Sequence, residues 1–195
     1  MINKEILINV LKRLYEQSKI CHDELNSADG KIGDGDLGIT ILHGLEEINK
    51  NITNFNDDLG SNFMICSKSF VKRSGSSFGT LITFSLMNIS KNLKGKSKAD
   101  HQDIINIFQT ALNTIMERGK TKLGDKTIVD TLHLIIKKLE ENNNYPELFK
   151  LATKEAIENF KGKKILIGRA RMFEEKTKEL HDPGMFALYK LCQIF

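Results

Sequence analysis

The sequence predicts an all-α domain of eight helices packed antiparallel. Apolar residues recur at helical spacing along almost the whole chain, and no sustained strand-like alternation appears. Only two prolines occur, Pro146 and Pro183, so long helices can run uninterrupted. Clusters of Gly, Ser and Asn punctuate the periodic stretches, and the short connections they leave make successive helices antiparallel neighbours.

The first helix spans about residues 3–25, with Ile6, Leu7, Val10, Leu11 and Leu14 on one face. A glycine-rich segment ends it. Ile39, Leu42, Leu45 and Ile48 mark a second helix over 37–51, and Phe63, Ile65, Cys66, Phe70 and Val71 a third over 58–72. SGSSFG interrupts, and an apolar fourth helix follows over 78–92. Ile104, Ile105, Phe108, Leu112 and Ile115 define a fifth over 100–117. GKTKLGD separates it from a sixth over 126–141, NNNYP turns the chain into a seventh over 146–161, and an eighth covers 184–194. Residues 162–181 are polar and carry no clear period. A chain of 195 residues suffices for one domain with a proper core and is short for two, so residues 1–195 are read as a single domain.

Composition narrows the function classes. The net charge of +4 comes from scattered lysines that are neither blocked together nor interleaved with aromatics, which gives no support to nucleic-acid binding. Three cysteines, Cys21, Cys66 and Cys192, form no CxxC pair, against a disulfide framework or a zinc site, and a reducing cytoplasm is the expected compartment. The stretch MINKEILINVLKRLYEQ is amphipathic and lacks the apolar core of a signal peptide. No apolar run approaches the length needed to cross a bilayer, so no membrane partner is expected.

Four polar, glycine-bearing interruptions carry the chemistry: DGKIGDGDLG (29–38), RSGSSFG (73–79), RGKTKLGDKT (118–127) and GRARMFEEKTKELHDPG (168–184). They link helices 1–2, 3–4, 5–6 and 7–8. In an up-and-down array alternate connections fall at the same end, so all four should meet. Asp29, Asp34 and Asp36 share the first connection. Three carboxylates brought together repel, and a hard cation with a taste for oxygen, Mg²⁺, is the natural counter-charge. An EF-hand fits poorly, because its pattern places Lys31, or Gly38 and Leu45, at ligand positions. The segment runs into a helix N-terminus, where backbone N–H groups suit a phosphate. The plain alternative is an Asp/Gly turn that caps helix 2. SGSSFG has the same two readings, with Ser74 and Gly75 at a helix start. Asp125 of GDKT can serve as the cap of helix 6, and the motif is no Walker A sequence. HDPG reads as a tight turn with Pro183 in the first turn of helix 8.

Taken in order, DGKIGDGDLG, SGSSFG, the GxxxxGDKTxxD pattern at Gly119–Asp130 and GRA…DPG make the chain similar to the nucleotide-binding L-subunit family of bacterial dihydroxyacetone kinases, the DAK2-domain family. The resemblance covers nearly the whole chain. It implies an antiparallel eight-helix barrel with a nucleotide site at one end. It implies that Asp29, Asp34 and Asp36 hold two Mg²⁺ ions. Leu37, Gly38, Ile39 and Thr40 would then meet the phosphates, Ser74 and Gly75 would approach the nucleotide, and Gly119 and Ile128 would lie near it, with Ile128 an apolar wall for adenine. Arg169 would reach the nucleotide, and Asp182, Pro183 and Gly184 would close the site. No nucleophile or general base is assigned on this chain.

The same resemblance implies a division of labour. A separate K-type subunit holds the sugar on a histidine, and this chain supplies ADP or ATP. In one branch ATP is the donor; in another, bound ADP is rephosphorylated by a phosphohistidine protein of the sugar phosphotransferase system. The expected activity is a cytoplasmic dihydroxyacetone, or related small-ketose, kinase that works only with its partner subunit. Leu37 stands where the family has His. In the last connection Arg171 and Glu174 replace small residues, and Glu179–Leu180 replaces Gly–His. With its aspartates intact and its last connection altered, the chain also admits a second class: a non-catalytic ADP/ATP-binding module that signals through a partner.

Overall fold

The computed structural model describes residues 1–73 and 75–195, with the side chain of residue 174 outside the description. Among the described residues the chain forms eight α-helices and no β-strand: α1 (Lys4–Asp29), α2 (Leu37–Asn51), α3 (Leu59–Lys72), α4 (Ser77–Asn92), α5 (His101–Gly119), α6 (Ile128–Glu141), α7 (Tyr145–Asn159) and α8 (Pro183–Leu191). Each helix packs on the next in sequence, and α8 returns to pack on α1. The ring is therefore closed, and the expected antiparallel eight-helix barrel is the observed architecture.

Local chemistry sets the boundaries. Asn3 caps α1 by accepting the Ile6 N–H at 3.0 Å. Ser76 caps α4, accepting from Gly79 at 3.1 Å. Asp100 and Asp103 form a capping box at the start of α5, and Thr127 and Asp130 form another at α6. This corrects one expectation: Thr127, not Asp125, caps α6. Asp125 instead accepts the Lys122 N–H and the Thr121 hydroxyl, closing the preceding turn. The helix starts two residues later than its apolar period suggests because Lys126 takes a left-handed φ of 60° and Thr127 is extended.

Apolar residues fill the ring from every helix. Leu25, Leu59, Val129 and Leu139 are fully buried, and Ile135 and Met185 nearly so. Each such side chain contributes roughly 1.5–3 kcal/mol by leaving water. A small satellite core lies outside the main one: Ile32 of the α1–α2 connection packs with Ile165, Ala170 and Leu180 of the α7–α8 connection. That packing orders residues 162–181, whose sequence showed no period. Its centre is a 3₁₀ segment, Arg169–Glu179. No helix among the described residues is long and apolar enough to cross a membrane.

Candidate functional site

Asp29 is the last residue of α1, and the chain turns sharply before α2. The turn folds back on the Asp29 carboxylate, whose Oδ2 accepts the N–H groups of Gly35 at 2.8 Å and Asp36 at 3.2 Å. Gly35 makes this possible with φ of 76°, a conformation an L-residue rarely adopts. One oxygen each from Asp29, Asp34 and Asp36 then lies within 4.8 Å of the others. Asp36 occupies the N-cap position of α2 with no side-chain cap hydrogen bond. The plain capping reading therefore does not hold for Asp36, while Asp29 does hold the turn together.

The cluster is electrostatically uneasy. Burial raises the Asp29 carboxyl above its usual range, and the charges of Asp34 and Asp36 add to this against the Gly35 and Asp36 N–H groups. Burial and Asp34 raise Asp36 as well, with Arg169 opposing. A cation would relieve both. Three hard carboxylate donors without sulfur or imidazole suit Mg²⁺ rather than a softer metal, so the residues present fit the ion that the sequence implied. Arg169 sits beside them, its Nη1 2.6 Å from Asp34 Oδ2. Both side chains of that pair are more than half exposed (63% and 53%), so it ties the two connections only weakly.

The aspartates line a cavity of about 790 Å³, within the usual range for a small-molecule site. Its lining comes from the α1–α2, α3–α4, α5–α6 and α7–α8 connections and the helix ends beside them. The alternate connections do converge on one end of the barrel. Phe78, Leu81, Phe84, Ile115 and Ile128 make an apolar wall. Arg118 lies over the Phe84 ring, its guanidinium carbon 3.4 Å from the ring centroid. Asp182 caps α8, accepting the Met185 N–H at 2.9 Å. Burial pushes its carboxyl up to about 7, although backbone N–H groups and Lys126 pull the other way.

Of the residues singled out from the sequence, Asp29, Asp34, Asp36, Leu37, Gly75, Gly119, Ile128, Arg169, Asp182, Pro183 and Gly184 line this cavity. Gly38, Ile39 and Thr40 sit one step behind it, in the α1–α2 and α2–α4 joints. Gly38 lies against the His22 carbonyl of α1, where an added Cβ would come within 1.9 Å of the oxygen. The Ile39 N–H donates to Asn26 Oδ1 at 3.1 Å, and the Thr40 hydroxyl to the Ser76 hydroxyl at 3.2 Å. Ser74 lies outside the described residues. Sequence reasoning missed Ser76, Phe78, Arg118 and Thr121. Ser76 had a legible signal as a Ser at the N-cap position just before the apolar stretch of α4. Arg118 had none, because its aromatic partner lies on a different helix.

Comparison with protein families matches residues 31–195 to the DAK2 domain. The chain belongs to the DAK2 domain family. The match begins after Asp29, so the first carboxylate of the cluster comes from the helix preceding the matched span. Among DAK2 relatives, the chain is 28% identical over 164 residues to the PEP-dependent dihydroxyacetone kinase 1, ADP-binding subunit DhaL, of Listeria innocua, covering 84% of this chain and 80% of that one. It is 24% identical to the PTS-dependent dihydroxyacetone kinase, ADP-binding subunit DhaL, of Lactococcus lactis, covering 94% and 92%. It is 30% identical to a probable dihydroxyacetone kinase of Dictyostelium discoideum over all of this chain but only 32% of that longer protein. The dihydroxyacetone kinase of C. freundii solved with AMP-PNP and Mg²⁺ has the same fold, with a TM-score of 0.77 at 19% identity over 34% of its chain. The DAK2 fold of this chain is thus found both as a separate subunit and as about a third of longer kinases.

Proposed function

We propose that this chain is the nucleotide- and Mg²⁺-binding subunit of a kinase for dihydroxyacetone or a similar small ketose, and that residues 1–195 act as one domain. The single observation carrying the reading is the convergence of Asp29, Asp34 and Asp36 in one cavity that Phe78, Leu81, Phe84, Ile115 and Ile128 also line. A nucleotide needs both halves: an apolar slot for its base and a cation between its phosphates and the carboxylates. The names of the Listeria and Lactococcus relatives, both ADP-binding subunits of dihydroxyacetone kinases, support it.

In this reading Asp29, Asp34 and Asp36 hold two Mg²⁺ ions, which neutralise phosphate charge when bound. The start of α2 at Leu37 aims its N-terminal dipole at the phosphates. Gly38, Ile39 and Thr40 shape that helix start from behind. Gly75, Gly119 and Gly184 let backbone approach the ligand closely, and Ile128 with Phe78 and Leu81 receives adenine. Arg169 donates from its planar fork to a phosphate. Asp182 and Pro183 fix the start of α8 beside the cavity. No side chain here attacks or deprotonates the sugar; the chain positions and stabilises the phosphoryl group for transfer to a ketose on a K-type subunit.

The isolated chain is therefore expected to leave free dihydroxyacetone unphosphorylated in the presence of ATP and Mg²⁺. Addition of a purified K-type subunit, with ATP or with a phosphohistidine protein of the sugar phosphotransferase system as donor, should yield sugar phosphate. Robust turnover by the chain alone would contradict the division of labour. Tight ADP binding without turnover in any combination would favour the signalling module instead.

A further inference from the structure

Lys126 is 1% exposed, the largest of the fully buried side chains. A buried ammonium is costly unless hydrogen bonds replace its water. Here Nζ donates to the Lys163 carbonyl at 2.7 Å and the Thr177 carbonyl at 2.8 Å. Lys163 lies where the α7–α8 connection begins and Thr177 where it returns, so one side chain ties both ends. The seam is reinforced from the neighbouring residue, since the Leu166 N–H donates to the Asp125 carbonyl at 3.1 Å. Within the connection the Ile165 N–H donates to Thr177 Oγ1 at 3.0 Å. Burial lowers the Lys126 ammonium below its usual value, partly offset by Asp182 and Glu179.

At the far side of this loop stands Arg169, paired with Asp34. That pair is too exposed to hold the connection in place by itself. Other ties on the connection are the satellite core under Ile32, the Leu166–Asp125 backbone bond, an exposed bond from Lys176 Nζ to the Lys31 carbonyl at 3.2 Å, and the grip of Lys126, which alone among them joins both ends of the connection through a buried charge. We propose that Lys126 is a positioning residue: its ammonium fixes the α7–α8 connection so that Arg169 stays over the aspartate cluster, and it sets nucleotide–metal affinity through Arg169 without touching either ligand. The proposal rests on the nucleotide–metal reading above.

The test is a double-mutant cycle joined to a ligand-free measurement. Lys126→Met keeps the stem and removes the charge. Hydrogen exchange on the metal-free chain should show the Ile165 and Leu166 N–H groups exchanging at least about tenfold faster in Lys126→Met, with α1 to α5 unchanged. Calorimetry should show Arg169→Ala weakening ADP–Mg²⁺ binding about tenfold to a hundredfold in the native chain, as expected for a lost hydrogen bond to a charged group. In the Lys126→Met background the same Arg169→Ala change should cost less than about twofold. A purely structural lysine would lower stability yet leave the Arg169 effect intact, and that additivity, or unchanged exchange, would overturn the proposal. Should Lys126→Met fail to fold, Lys126→Gln, which removes the charge and keeps a polar end too short to hold both carbonyls, carries the same two readouts. Failure of the native chain to bind ADP–Mg²⁺ would overturn the functional reading and the affinity claim with it. Intact ADP–Mg²⁺ binding with additive mutations would overturn the positioning claim alone.

Discussion

Asp34→Asn is expected to weaken ADP–Mg²⁺ binding by about a hundredfold or more while leaving the metal-free fold unharmed. Removing a residue that merely orients a metal ligand costs about 10–100-fold, and removing a ligand should cost at least that. The three carboxylates are not equivalent in their structural duties. Asp29 holds the turn through two backbone hydrogen bonds, so its loss would confound folding with binding. Among the described residues Asp34 pairs with the exposed Arg169, and its charge raises both Asp29 and Asp36. Loss of the Arg169 pair and relief of that repulsion oppose one another, and each is small at an exposed site. The melting temperature of the metal-free variant should stay within about 2 °C of the native value. Calorimetric titration with ADP and Mg²⁺ checks the affinity. A large drop in metal-free stability with unchanged affinity would return the aspartates to a turn-forming role.

Gly38→Ala is expected to lower stability by about 3 kcal/mol, the upper end of ordinary overpacking. An added Cβ would meet the His22 carbonyl at 1.9 Å and its carbon at 2.7 Å, and both are backbone atoms in the middle of α1. No rotamer change can relieve that contact; α1 and α2 must move apart. The gain of about 1 kcal/mol from replacing Gly by Ala inside a helix is too small to compensate. Thermal melting should show a loss of roughly 6–12 °C. Gly75→Ala supplies the control, because nothing lies within 4 Å of a Cβ there. Equal stabilities of the two variants would show that α1 and α2 are not packed as described.

Both glycines were drawn from the sequence for one purpose, and the structure separates them. The helix spacing and the parity of the connections were legible: α2 spans Leu37–Asn51 as its apolar period indicates, and the four glycine-bearing connections do line one cavity. The aspartate cluster was legible because its three members share one short turn. What could not be read depended on distant partners. Gly38 owes its identity to the carbonyl of His22 on another helix. Arg118 is placed by Phe84 on α4. The stretch 162–181 has no period of its own because only Ile165, Ala170 and Leu180 pack on Ile32 while Leu166, Met172 and Phe173 stay exposed, and a buried lysine from the α5–α6 connection holds the Lys163 and Thr177 carbonyls. The start of α6 was misjudged for a related reason: the turn at Lys126 aims that lysine into the seam and spends two residues of an otherwise helical pattern.

The central claim is that nucleotide reaches this site only with a cation between its phosphates and three carboxylates. Thermal melting of the native chain with saturating ADP, in Mg²⁺ and then in excess chelator, tests it most directly. Three clustered negative charges repel a polyphosphate on their own. ADP with Mg²⁺ should raise the melting temperature by several degrees, since a ligand at about a hundred times its dissociation constant stabilises by about 2.7 kcal/mol. ADP with chelator should raise it by less than about 1 °C, below what ~0.5 kcal/mol would give. Equal stabilisation in the two solutions would contradict the account.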